Sequence, residues 1–113
     1  MIKQIGAMRH FATFLRQPEG LSDRGEREGE PVSYASGVPV SKRSIAGREA
    51  ETARQLFPTA DFTLEMHGPC NVIANDIAIV GGDRLLVGYV EDVDSDGRHF
   101  RLLCAKEQVV TNG

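Results

Sequence analysis

Between residues 60 and 106 the sequence runs in short stretches of apolar and polar residues set apart by paired turn-formers. This pattern confines the chain to antiparallel β-structure. Across 60–67, Phe62, Leu64 and Met66 fall on one face and Asp61, Thr63, Glu65 and His67 on the other, the period of a half-buried strand. Gly68-Pro69 turns the chain. An apolar run over 75–80 is followed by Gly81-Gly82 and a second run over 83–92. Two glycines between two such runs predict a tight hairpin, because positive φ costs glycine little. Asp94-Ser95-Asp96-Gly97 predicts another turn, and 98–106 closes the set with Phe100, Leu102 and Cys104 on one face.

Upstream, residues 8–16 (Met-Arg-His-Phe-Ala-Thr-Phe-Leu-Arg) read as a first strand. Residues 17–31 hold three glycines, two prolines and a single aliphatic residue, too little apolar surface to offset the entropy of ordering them. Residues 32–45 read as extended structure broken by Gly37 and Pro39, a proline marking an edge or a bulge. Only 46–57 has a helical period. Ala46, Ala50, Ala53 and Phe57 make one stripe, with Ser44 as the expected N-cap and Pro58 as the stop. The expected fold is therefore mainly β: a small antiparallel β-barrel or sandwich of about six strands with one α-helix, residues 46–57, packed on it. A chain of 113 residues makes this one domain, 1–113, with a frayed tail over 108–113 and no internal repeat.

Thirteen Lys+Arg against sixteen Asp+Glu leave a net charge of -3, which speaks against a domain that wraps nucleic acid by bulk charge. Apolar runs fall far short of the roughly 20 residues of a membrane helix, so no membrane is expected, and synthesis is expected inside the cell. Cys70 and Cys104 are too few for a disulfide scaffold and read as reduced thiols.

No chemistry-bearing constellation assembles from spacing. His67-x2-Cys70 and His99-x4-Cys104 give four potential zinc ligands, but residues 99 and 104 lie at an odd separation on one strand and face opposite ways. Asp92-Val93-Asp94-Ser95-Asp96-Gly97 begins like a calcium loop, yet the twelfth position is Leu103 and strands flank it. There is no nucleophile motif and no phosphate loop. No catalytic residue, metal or cofactor is expected. Met8-Arg9-His10-Phe11 and Arg98-His99-Phe100-Arg101 mix basic and aromatic side chains in the manner of a base-stacking face. They keep open a second reading: a monomeric small β-barrel binding nucleic acid or peptide.

One ordered series goes further. Met8-Arg9-His10 leads to Arg16-Gln17-Pro18, then a Gly/Glu-rich loop, Gly47-Arg48-Glu49, Phe62-Thr63-Leu64, Gly81-Gly82-Asp83-Arg84-Leu85-Leu86-Val87-Gly88-Tyr89-Val90, Asp96-Gly97-Arg98 and Leu102-Leu103-Cys104. Over residues 8–106 this resembles the tailed-phage head closure proteins, also called head–tail joining or head–tail adaptor proteins. Members often carry a tryptophan where Val38-Pro39-Val40 stands here. The resemblance implies a structural virion protein of a phage or prophage, assembled in the bacterial cytoplasm. Copies would form a homo-oligomeric ring at the head–tail connector, between the portal and adaptor proteins and a tail-completion or tail terminator protein. The ring would close the filled head and offer a tail-docking surface, with DNA passing through its lumen unbound.

Two sets of residues suit a ring subunit. In loop 17–31, Glu19, Asp23, Glu26, Glu28 and Glu30 against Arg24 and Arg27 sum to -3, the net charge of the whole chain. Repeated around a ring and facing the lumen or a neighbour, they would make a negative collar that repels DNA. On the helix, Arg48, Glu51 and Arg54 are available for ion pairs with a neighbouring subunit.

Overall fold

The computed structural model describes residues 9–17 and 30–107. Six strands and one helix follow in the order β1 (His10–Arg16), β2 (Val32–Ser44), α1 (Gly47–Leu56), β3 (Phe62–His67), β4 (Ile77–Val80), β5 (Asp83–Asp92) and β6 (His99–Lys106). Every pairing is antiparallel, and the strands close into a barrel in the order β1-β2-β3-β6-β5-β4. The expected fold class is the observed one.

Alternation explains the closure. Leu64 and Met66 of β3, Leu85 and Val87 of β5, and Leu102 and Cys104 of β6 point inward, and Phe14 and Val40 fill the side formed by β1 and β2. The opposite faces of β3 and β6 are not solvated throughout. Thr63 and Leu103 are buried there beneath α1, which lays Ala50 and Ala53 on them in a second small core with Ile45, Ala60, Phe57 and Tyr89. The alanine stripe lets the helix lie close, as its small side chains suggest. Ala46, at the head of the expected stripe, is exposed.

Three local expectations need correction. Ser44 does not cap the helix: it is held in the β2–β3 ladder opposite Phe62, and Ala46 takes the N-cap position with no side-chain hydrogen bond. Leu56 ends the helix two residues before Pro58. Gly37 and Pro39 do not break the second segment, because β2 runs unbroken from Val32 to Ser44. The register with β1 slips twice instead: Ser36 and Gly37 stand opposite Thr13, a bulge that leaves Pro39 paired across from Phe11, and Tyr34 is an extra residue against the Phe14–Leu15 step. The predicted hairpin forms at Gly81-Gly82, with φ of 58° and 86° and Val80 facing Asp83.

The register sets two ends. One, the loop end, gathers Arg16, Val32, His67, Ile77, Asp92 and His99; the base holds His10, Ser44, Phe62, the Gly81-Gly82 turn and Lys106.

Candidate functional site

At the loop end the segment between β3 and β4 crosses from one side of the barrel to the other and drops Val72 into the core. It is locked there by Asp76, which is 2% exposed. Arg16, at the end of β1, donates from Nε and Nη2 to the two carboxylate oxygens of Asp76, each at 2.9 Å. Tyr34 Oη of β2 donates to Asp76 Oδ2 at 2.5 Å, and the Ile73 amide donates to the same oxygen at 3.0 Å. The Arg16 guanidinium also lies 4.5 Å over the Tyr34 ring and donates to the Asn71 carbonyl at 2.7 Å. Burial alone would raise the Asp76 pKa, but the hydrogen bonds from Arg16, Tyr34 and the Ile73 amide outweigh it and hold the carboxyl below its usual range. Burial and the same carboxylate push the Tyr34 phenol upward.

A second cluster lies on the outer face beside α1. Glu65 of β3 is the hub. His99 Nε2 lies 3.3 Å from one of its oxygens, and Arg101 Nε and Arg43 Nη2 lie 3.5 and 3.7 Å from the other. Arg43 also reaches Glu49 of the helix at 2.5 Å, and Arg101 reaches Glu91 at 3.3 Å. A hollow of about 160 Å³ beside the cluster is lined by Glu49, Thr52, Leu56, Glu91 and Arg101. Through Arg43 and Glu49 the cluster ties α1 to the barrel wall.

The sequence-predicted residues fall in three places. Glu19, Asp23, Arg24, Glu26, Arg27 and Glu28 lie outside the described residues, as does the tail 108–113; Glu30, at the foot of β2, is exposed. Arg48, Glu51 and Arg54 are brought together on the solvent side of α1, all exposed, and none makes an ion pair within the chain's described residues. Arg54 also borders a wider hollow of about 570 Å³ at the base, shared with Asp61, Lys106 and Glu107. Glu49 is the one charged helix residue turned to the barrel.

The basic–aromatic stretches differ. Arg9 and Phe11 are exposed, whereas His99 is buried, Phe100 packs on the core and Arg101 is bound by two carboxylates. The second stretch thus offers no stacking face. Asp92 accepts the Gly97 amide at 2.9 Å and Asp96 the Arg98 amide at 3.0 Å, which makes the acid-rich run a tight turn. Among the described residues no group of His, Cys, Asp or Glu is arranged to hold a metal ion, and no helix is long and apolar enough to cross a membrane.

Cys104 is sealed in the core, where burial pushes its thiol up to about 12, and Cys70 is half-buried. A thiol reagent is expected to modify Cys70 slowly in the native protein and Cys104 only in denaturant, read as successive mass shifts. The Arg16–Tyr34–Asp76 lock was invisible to sequence reasoning, since its members stand up to 60 positions apart and none sits in a motif. No protein-family profile and no curated protein matches the chain.

Proposed function

We propose that this protein is a structural subunit of a tailed-phage or prophage neck. Copies form a ring that closes the DNA-filled head and receives the tail. The reading rests on the resemblance over residues 8–106, and one observation carries it. The motifs of that series fall on the ordered elements of the barrel: Gly47-Arg48-Glu49 opens the helix, Phe62-Thr63-Leu64 opens β3, Gly81-Gly82 and Asp96-Gly97-Arg98 make turns, and Leu102-Leu103-Cys104 is buried.

A closed ring is heterologous, so each subunit presents two different surfaces to its two neighbours. The helix face of Arg48, Glu51 and Arg54 is one of them, with charges that no ion pair within the described chain consumes. The excess of acids over bases disfavours adhesion to the passing DNA backbone, which suits a ring that the genome threads without specific binding. Portal and adaptor proteins meet the ring on the head side and a tail-completion or tail terminator protein on the other. The protein's place is then the virion connector, reached by assembly in the host cytoplasm.

Omitting the protein from an assembling phage should yield filled heads that lack tails and lose DNA; normal tailed particles overturn the reading. Reversing the helix charges together (Arg48→Glu, Glu51→Lys, Arg54→Glu) should leave unfolding free energy within about 0.5 kcal/mol, as for exposed positions generally, while tailed particles are lost. Salt-sensitive binding of single-stranded DNA by the purified chain would favour the monomeric binding-module reading instead.

A further inference from the structure

Barrel closure removes strand edges, but β2 is longer than its neighbour. Its ladder with β3 covers only Ser41–Ser44. From Val32 to Val40 it is bonded to β1 alone, and among the described residues no other backbone group bonds this stretch. Natural proteins guard such an edge with charges, prolines or bulges, since its free N–H and C=O groups are a template for another strand. Here the bulge at Ser36 and Gly37 and the proline at 39 sit toward β3; within Val32-Ser33-Tyr34-Ala35 a second slip leaves Tyr34 as an extra residue against the Phe14–Leu15 step, and the stretch carries no charge. Val32 is 62% exposed and Tyr34 39% exposed. Among the described residues the edge has the chemistry of a strand acceptor: backbone groups with no partner on that side and the exposed side chains of Val32 and Tyr34 beside them.

The same chain contains a fitting strand. Gln108-Val109-Val110-Thr111-Asn112-Gly113 is uncharged in its side chains and centred on three β-branched residues, which suit a pleated strand. It follows β6 directly and therefore leaves from the base, the end opposite Val32. Ser44, Phe62 and Cys104 share one level of the barrel. Lys106 lies two residues below that level and Ala35 nine above it, about 35 Å apart along the strands at 3.3 Å per residue. Residues 107–113 span at most about 25 Å when fully extended. This segment cannot reach the edge of its own barrel.

We propose that Gln108–Gly113 of one copy adds as a strand to the β2 edge, Val32–Ala35, of the next. The contact is heterologous, base to loop end; in a ring, where the rotation between copies closes, it gives every subunit one donor tail and one acceptor edge. The inference deepens the ring reading, from which it takes the neighbouring copy, but its test uses purified protein and so fails separately from the phage experiment.

The full-length chain, labelled with ¹⁵N, is titrated with an unlabelled peptide of sequence Lys106–Gly113. The expected result is saturable shifts centred on the amides of Val32–Ala35, with a midpoint below about 1 mM, as a short strand addition allows. A Val110→Pro peptide, lacking one N–H donor, should bind at least tenfold more weakly, and Ser33→Lys in the protein should weaken the native peptide similarly. Absence of saturation at several millimolar, shifts centred elsewhere, or equal binding by the Val110→Pro peptide overturns strand exchange. Tailless heads in the omission experiment would then leave the ring reading standing without it.

Discussion

Asp76→Ala is expected to lower the unfolding free energy by about 2–3 kcal/mol, one of the two largest effects anticipated for a single change in this chain. The carboxylate is almost wholly buried and accepts from three donors on two strands and a loop. Removing it leaves the Tyr34 hydroxyl and the Ile73 amide without an acceptor. Arg16 is 39% exposed and can rehydrate, which keeps the loss below the roughly 3–5 kcal/mol of a fully buried broken pair. For a domain of 113 residues the melting temperature should fall by about 4 °C for each kcal/mol. Asp76→Asn should cost less, because its amide retains one acceptor oxygen for the Ile73 amide or Tyr34.

The pH dependence of the same pair of proteins separates the lock from simple loss of packing. The folded Asp76 carboxyl titrates below its unfolded value of about 3.9. Its stabilisation is therefore complete above that value and drains away as pH falls through the folded pKa. Melting curves of wild type and Asp76→Ala should be furthest apart at pH 6–7 and converge below about pH 4. A gap that stays constant with pH would mean that the charge of Asp76 contributes nothing and that only its volume matters. Local opening should follow as well: amides of residues 70–75 should exchange faster in the variant than those of β5 and β6, since the loop loses its anchor while the barrel ladders keep theirs.

How far the sequence could be read depended on whether the determining contacts were local. The β3, β5 and β6 strands were legible because Leu64, Leu85 and Leu102 recur at period two between turns that glycine and aspartate enforce. The helix was legible from Ala50, Ala53 and Phe57. Its start was not, because pairing of Ser44 with Phe62 on a neighbouring strand outweighs a local capping preference. The slip opposite Thr13 was equally hidden: Pro39 flags an irregularity, but its partner Phe11 determines where the register gives way. In the candidate sites, Arg48, Glu51 and Arg54 followed from helical periodicity. Asp76 did not, since its partners Arg16 and Tyr34 are distant in sequence and nothing marks any of them locally. The open β2 edge required the ladder itself, for an edge is defined by the strand that is missing beside it.

Gly88→Val should detach α1 from the barrel at a cost of about 1–3 kcal/mol, the range for a side chain forced into a filled space. Gly88 is the extra residue between Val87 and Tyr89 where β5 slips against β6. The Phe57 ring lies directly on it: a Cβ built at Gly88 would stand 2.4 Å from three ring atoms. The ring cannot remain, and Phe57 is the C-cap of the helix, its amide bonded to the Ala53 carbonyl at 2.8 Å. Displacing it opens the small core of Ile45, Ala50, Ala53, Ala60 and Leu103, whereas the barrel interior of Phe14, Leu64 and Leu102 is untouched. A double-mutant cycle with Phe57→Ala isolates the cause. If the clash is the mechanism, the double variant should be more stable than the sum of the single losses by about 0.5–3 kcal/mol; strict additivity would place the defect in the β5 backbone instead. Because α1 carries Arg48, Glu51 and Arg54, Gly88→Val should also abolish complementation of phage assembly while the barrel stays folded. Tailed particles in normal yield from a variant with a demonstrably detached helix would remove the helix face from the proposed ring contact.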